Sequence, residues 1–207
     1  MLKRTTKKFV EDYLSQKKDW KILDIGCGYT ANKYSTHVAD TQDFSYFYKN
    51  KKFTHIKDKK FPFSDKEFNF VIASHVLEHV DNIEYFIKEL ERVADSGYIE
   101  VPTRLEDNLV DVNEKAHIWW INYDDINKSL FIIKRKQIIE PFLSVSTTQN
   151  LRKFFRDSLV TEIFWENKIN YLISNGSNDF ELYKKLSFLK IIKKFFSKKI
   201  RRFFKFI

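Results

Sequence analysis

The sequence predicts an α/β fold: a doubly wound, Rossmann-like, mostly parallel sheet with antiparallel hairpin additions and a C-terminal amphipathic helix. Three observations predict it. The apolar run Lys21-Ile22-Leu23-Asp24-Ile25 closes on Gly26-Cys27-Gly28. Short apolar runs then alternate with helical patterns as far as Pro102, the signature of parallel strands joined by crossovers. Beyond Pro102 the pattern changes to aromatic and aliphatic runs paired around polar turns, which reads as antiparallel hairpins.

Lys7 to Gln16 reads as a short lead-in helix, and Lys21 to Ile25 as the first strand of the core. His37 to Asp40 and Thr54 to Lys57 supply the second and third strands. Phe61-Pro62-Phe63-Ser64-Asp65-Lys66 is a loop, because Pro62 blocks a helix. Asn69 to Ala73 is the fourth strand. From Leu77 through Val80 to Val93 the chain reads as one amphipathic helix, with Val80, Ile83, Ile87, Leu90 and Ala94 on a single stripe. Gly97 is expected to end it, and Tyr98 to Val101 to be the fifth strand. Leu105 to Lys115 is polar and reads as a loop or lid. Ile118 to Tyr123 and Ser129 to Lys134 bracket a turn at Asp124–Lys128, and Thr161 to Trp165 with Lys168 to Ile173 reads as a second hairpin. Asn175-Gly176-Ser177-Asn178 punctuates the end of the domain. The expected division is a domain over 1–180, with a core at about 20–103 and additions over 104–180, followed by a basic tail over 181–207.

Charge is unevenly placed. The 207 residues include 37 basic and 28 acidic side chains, a net of +9. Ten of the basic residues and none of the acids lie between Leu182 and Ile207, so the body is nearly neutral. That argues against a basic nucleic-acid groove across the main domain. The single cysteine, Cys27, excludes an internal disulfide and a Cys-based zinc site. The five histidines (His37, His55, His75, His79, His117) show no metal-ligand spacing. His75 and His79 stand four apart, but Val76 occupies the place where a metalloprotease helix needs Glu, so no metal site is expected. Met1 to Val10 is basic without the apolar segment of a secretory signal. No run approaches the roughly 20 apolar residues of a membrane span, and the expected location is cytoplasmic.

The glycine turn carries the chemistry. Glycines let a ligand approach the backbone closely. Gly26-Cys27-Gly28-Tyr29-Thr30-Ala31 satisfies the dinucleotide pattern Gly-x-Gly-x-x-Ala, so a nicotinamide or flavin reading stands beside any other. Asp24 weighs against it: a carboxylate suits an ammonium and opposes a pyrophosphate. The downstream segment Ser74-His75-Val76-Leu77-Glu78-His79-Val80 has no role in dinucleotide recognition.

Residues 20–103, with this turn, the strand-end acids and the Phe61–Asp65 and Leu77–Val80 segments, resemble the class I S-adenosylmethionine-dependent methyltransferases. The resemblance implies S-adenosylmethionine as cofactor. It implies that Asp24, Gly26, Cys27 and Gly28 hold the methionine end and that Asp40 binds the ribose hydroxyls. It further implies that Asp58 reaches the adenine amino group, that Lys59 offers its backbone N–H to the ring, and that Ser74 and His75 line the methionine and sulfonium. Thr30 replaces a third glycine, and only eleven residues separate Gly28 from Asp40. The first helix is therefore expected to be short or irregular, with Asp43 as the alternative to Asp40. Plainer readings remain for each acid: Asp24 as a helix cap, Asp40 and Asp58 as ordinary strand-end acids, Glu78 as a solvated or structural acid. His79 reads as a structural residue on the helix.

Methyl transfer from a sulfonium is an in-line displacement already activated by the positive sulfur, so it depends chiefly on positioning. An oxygen or nitrogen acceptor also needs a base. His117, between the polar loop and Ile118-Trp119-Trp120, is the candidate. Glu100 reads as facing the edge of its strand.

In the tail, Leu182, Leu186, Leu189, Ile192, Phe196, Ile200, Phe203 and Ile207 recur at helical spacing opposite a cationic stripe containing Lys184, Lys190, Lys194, Lys198, Arg201 and Lys205. As a helix it would extend about 39 Å. A helix of this kind suits an anionic membrane surface. Docking on protein and RNA binding are the alternatives. The sequence thus leads to a methyltransferase peripheral at the inner face of a membrane, with a glycan-linked, lipid-linked or small-molecule acceptor. An RNA or soluble small-molecule methyltransferase, and a non-catalytic membrane-associated binding module, are its rivals.

Overall fold

The computed structural model describes residues 1–110 and 113–174, together with positions 189, 192, 193, 196 and 197 of the tail. The expected turn at Asn175–Asn178 and the expected C-terminal amphipathic helix lie outside the described residues, apart from those five positions.

The core is a seven-stranded sheet in the order β1-β9-β6-β5-β2-β3-β4. Its parallel part comprises β2 (Ile22–Ile25), β3 (His37–Asp40), β4 (Lys52–His55), β5 (Phe70–Ser74) and β6 (Ser96–Pro102). On the β6 side, β9 (Val160–Glu166) and then β1 (Leu2–Arg4) add antiparallel. All four residues of β2 are buried, as both faces of a central parallel strand must be. One face presents Leu23, Ile25, Val71 and Ile99 to Ile87 and Leu90 of α2 (Ile83–Val93). The other presents Ile22, Phe70, Ile72 and Tyr98 to Val10 and Leu14 of α1 (Lys7–Ser15). Thr6 caps α1 by accepting from Phe9 N at 3.1 Å, and Asn82 caps α2 by accepting from Tyr85 N at 3.0 Å.

A three-stranded sheet of order β10-β8-β7 packs beside this core. There β7 (Trp119–Asp124) and β8 (Ser129–Lys134) form the expected hairpin, with Asp124 opposite Ser129. Two short helices, α3 (Arg104–Leu109) and α4 (Asn113–Ala116), occupy the stretch read as a loop, and α5 (Val145–Leu159) precedes β9.

The second hairpin is not formed. β9 pairs along its length with β6, Ser96 against Glu166 through Pro102 against Val160. β10 (Tyr171–Ser174) instead runs parallel to β8. Burial explains the separation: Val160 to Trp165 is buried at every position and belongs inside the large sheet, whereas no residue of β10 is fully buried. The helix expected from Leu77 onward is also interrupted. A single 3-10 turn spans Leu77–His79, and α2 begins only after Asn82. Nor does Gly97 end that helix. It lies within β6, where a Cβ would stand 2.4 Å from Val71 O and 2.6 Å from Trp165 Nε1, so the close approach of β5 and Trp165 requires glycine there.

Candidate active site

The site lies at the carboxyl ends of the parallel strands, where ligands bind in open α/β sheets. At the end of β2, Gly26 has φ +67°, and a Cβ there would stand 2.4 Å from Val76 Cγ2. Both facts demand glycine. The loop from Gly26 to β3 contains no helix, which agrees with the few residues available. Cross-links replace a helix: Gly28 N donates to Asp40 Oδ2 at 2.9 Å, Asn32 N to Asp24 Oδ2 at 2.6 Å, and Tyr48 Oη to Gly28 O at 2.7 Å.

Two cavities meet at this turn. One, of about 400 Å³, is lined by Asp24, Gly26, Cys27, Gly28, Ser74 and His75, with Lys7 and Glu11 of α1 at its side. The other, of about 360 Å³, is lined by Gly26, Asp40, Asp58, Lys59, Phe61 and Tyr85 among others. The structure therefore brings the nine expected cofactor residues to one edge, in two lobes joined at Gly26. Asp40 borders the second lobe, while its other oxygen accepts from Gln42 N at 3.0 Å. Asp43 borders neither lobe and accepts from Ser45 N at 2.9 Å in a local turn.

The electrostatics of the first lobe centre on Asp24. Asp24 is 5 % exposed, and burial pushes its carboxyl up to about 7, against the opposing pull of the Asn32 N–H and of Lys51 and Lys7. A positive group entering that lobe would restore its charge. Cys27 is driven up to about 12 by burial and then by Asp24, and so stays a thiol.

His75 links the first lobe to a third, smaller cavity of about 80 Å³ that it shares with Glu78, Glu106, His117, Thr148 and Arg152. Its φ is +55°, a conformation that costs a non-glycine residue about 1–2 kcal/mol, and its N–H donates to Glu100 O at 2.8 Å. The imidazole lies between two carboxylates, with Nδ1 3.1 Å from Glu78 Oε1 and Nε2 3.2 Å from Glu100 Oε1. The second is an ion-pair contact outside hydrogen-bond geometry. Burial opposes the charge on His75, but Glu100 and Glu78 outweigh it and raise the ring to about 9. Burial likewise opposes the charge on Glu100, which His75, Arg156 and Tyr98 bring down to about 2. Glu100 therefore does not face an edge. It is 3 % exposed, accepts from Tyr98 Oη at 2.6 Å, and pairs with Arg156 Nη2 at 2.7 Å.

His117 stands on the far side of the small cavity. Its Nδ1 is held by Asp107 Oδ1, and Asp107 Oδ2 accepts from Trp120 Nε1 at 2.6 Å and lies 2.6 Å from Arg135 Nε. Its ring packs edge-on against His79, with centroids 4.5 Å apart. His79 is exposed, and its Nδ1 is 2.9 Å from Ala116 O. His75 and His79 do not share a helix face, since His75 precedes the 3-10 turn. Glu78 is not solvated: it is 1 % exposed and lies at the centre of this group. Sequence reasoning missed Glu78, Glu100, Asp107 and Arg152 as site residues. The signal at hand was the acid of Leu77-Glu78-His79, directly after a strand end.

A glycine turn between a polar lobe and a largely apolar one, carboxylates bordering both, and a histidine across a small cavity suit an α/β enzyme that binds a nucleoside cofactor bearing a positive group. A family model described as a methyltransferase domain matches residues 2–131. The chain belongs to this methyltransferase family, and it is an S-adenosylmethionine-dependent methyltransferase. Among solved structures it is similar to the PH0226 protein from Pyrococcus horikoshii OT3, at 17 % identity over 78 % of this chain and 89 % of that one, with a TM-score of 0.46. It is also similar to a SAM dependent methyltransferase from Aquifex aeolicus, at 14 % identity over 76 % and 87 %, with a TM-score of 0.43. The trans-methyltransferase CalH, solved with SAH, matches at 15 % identity over 46 % and 35 %, with a TM-score of 0.38. No curated protein matches the sequence. Among the described residues, no helix is long and apolar enough to cross a membrane.

Proposed function

We propose that the enzyme methylates an oxygen, or a nitrogen, of a polar acceptor group seated in the small cavity between His75, Arg152 and His117. The acceptor belongs to a lipid-linked or glycan-linked molecule reached at an anionic membrane surface. The observation that supports this most directly is His75, which borders both the methionine lobe and the small cavity. A methyl group leaving the first has a short path into the second.

The roles follow from position. Asp24 takes the methionine ammonium, and Gly26, Cys27 and Gly28 let that end lie against the backbone. Asp40 takes ribose hydroxyls, while Asp58 and the Lys59 N–H take the adenine edge. Ser74 and His75 flank the sulfonium, and the two carboxylates beside His75 offset its positive charge. When bound, S-adenosylmethionine would supply a methyl carbon activated by its sulfonium; transfer to the acceptor oxygen would break the S–C bond and release S-adenosylhomocysteine. The acceptor proton passes to His117 Nε2, since Asp107 holds Nδ1 and leaves Nε2 as the free lone pair. His117→Ala should lower kcat about 10²–10⁴-fold while leaving the S-adenosylmethionine Kd within a factor of about two. Labelled-methyl transfer into a membrane-lipid extract, beside calorimetric binding, reads both; an unchanged kcat removes His117 from this role.

The tail supports the membrane part of the reading through its charge: ten basic residues without an acid, whereas a merely solvated face mixes both signs. We take 1–180 as the catalytic domain and 181–207 as the surface anchor. Reversing Lys190, Lys194, Lys198 and Arg201 to Glu in the full chain should abolish cosedimentation with vesicles rich in anionic lipid, given about 1 kcal/mol per basic residue near the surface. Equal pelleting of the variant and the wild type would reject the anchor.

A further inference from the structure

The geometry points to a divalent-metal site formed by Glu78, His79 and His117, and we propose that these residues bind a transition metal of the zinc class. One ligand atom from each lies within 4.8 Å of the other two. The orientation of both rings is already fixed. Asp107 holds His117 at Nδ1, and the Ala116 carbonyl holds His79 at Nδ1. A carbonyl or carboxylate partner makes Nδ1 the protonated nitrogen, which leaves both Nε2 lone pairs free. Metal-binding histidines are oriented in this way, by a carboxylate or backbone carbonyl on the other ring nitrogen.

Glu78 supplies an independent observation. Its side chain is 1 % exposed, and Oε1 meets His75, but Oε2 is buried with no hydrogen-bond partner. An orphaned carboxylate oxygen is costly unless something positive completes it. Three ligands of one ion, each about 2.0–2.2 Å from it, stand about 3–3.5 Å from one another, so a set spread over as much as 4.8 Å must close by up to about 1.5 Å. His79 is exposed and the 3-10 turn that carries it is short, so a shift of that turn, with the Nδ1 contact to Ala116 kept, can supply the closure.

Ligand type selects the metal. Two imidazoles and one carboxylate favour zinc, iron(II) or cobalt(II) over magnesium or calcium, which prefer all-oxygen sites. Three protein ligands also leave a position open, as in catalytic rather than structural sites. Glu78 and His117 line the small cavity, and His79 lines the adenosine-side lobe. On the reading of the small cavity as the acceptor's seat, the open position takes the acceptor oxygen. With the ion bound, His117 Nε2 is committed to it and no longer serves as the base it is in the metal-free enzyme; the acceptor hydroxyl then loses its proton to solvent because the ion lowers its pKa. The site's existence does not depend on that reading, because binding is measured without methyl transfer.

The full-length chain, freed of any histidine tag and chelator-treated, is titrated with Co²⁺ and read by visible absorption, then displaced with Zn²⁺ in a calorimeter. One equivalent per chain is expected. His79→Ala should weaken Zn²⁺ binding at least 100-fold, Asp107→Asn about 10–100-fold, and His37→Ala should leave it unchanged. Circular dichroism checks that the His79 variant folds; Glu78→Gln is the second ligand variant, expected to weaken binding at least 100-fold. Absence of a stoichiometric Co²⁺ signal, or Zn²⁺ affinity indifferent to both ligand substitutions, overturns the site. If the ion binds as expected and acceptor methylation is absent, the acceptor reading fails while the metal site stands.

Discussion

Asp24→Asn is expected to weaken S-adenosylmethionine binding by about 10- to 100-fold, the range for losing a buried charge-assisted contact of roughly 1.5–3 kcal/mol. The wild-type carboxyl sits near pH 7 because burial disfavours its charge. Binding an ammonium requires the carboxylate, so affinity should climb by on the order of tenfold between pH 5.5 and pH 7, as Asp24 ionises. Above about pH 8 it should fall again, as the ligand's own α-amino group loses its proton. The Asn variant should lose the acid limb and keep the alkaline one. Calorimetric Kd values across pH measure both limbs; an acid limb that survives the substitution assigns it to another group.

Folding and binding make opposite demands of this residue, which separates a site effect from a structural one. The folded-state pKa of Asp24 lies above its model-peptide value of 3.8. Between those values the folded chain holds a proton that the unfolded chain has lost. Stability from this group is therefore greatest below about pH 4, declines as pH rises through about 7, and is flat above. Asp24→Asn removes that decline. The variant should melt no lower than wild type at pH 8 while binding cofactor far less well.

Asp107→Ala is expected to destabilise the fold by about 3–5 kcal/mol, the cost of stranding a buried charge by deleting its partner. Asp107 is 1 % exposed, and the Arg135 side chain it faces is only 5 % exposed. The same carboxylate holds His117 and the Trp120 indole N–H. Deleting it leaves a guanidinium, an imidazole and an indole without their shared acceptor, at the junction of β7, β8 and α3. Asp107→Asn keeps the shape and one acceptor, so it should cost less. Urea denaturation of the three proteins measures the difference; a loss for Asp107→Ala under about 1 kcal/mol would show that Arg135 finds water instead.

Particular residues show what the sequence made legible. β2, β5 and β6 were readable because strands buried on both faces are continuous apolar runs, and Asp24 was readable because it interrupts such a run just before two glycines. β1 was not, because only Leu2 of its three residues is buried. α5 was not, because Ser146, Thr147, Thr148, Gln149 and Asn150 hide its apolar positions. The break before α2 was masked because Val80 keeps helical spacing with Ile83 and Ile87 although the helix starts only after Asn82. The hidden part of the site is three acids and Arg152. A buried glutamate and a solvated one look the same in a sequence; what distinguishes them is a cation brought by the fold. Glu106 meets Arg152 and Glu100 meets Arg156 across 46 and 56 residues, distances at which no local pattern operates.

Calorimetric titration of the intact chain, first with S-adenosylmethionine and then with NAD, tests most directly whether the cleft joined at Gly26 is a sulfonium-nucleoside site. A single binding event with the first and none with the second is the predicted result. Binding of NAD, or heat from neither ligand, would contradict it.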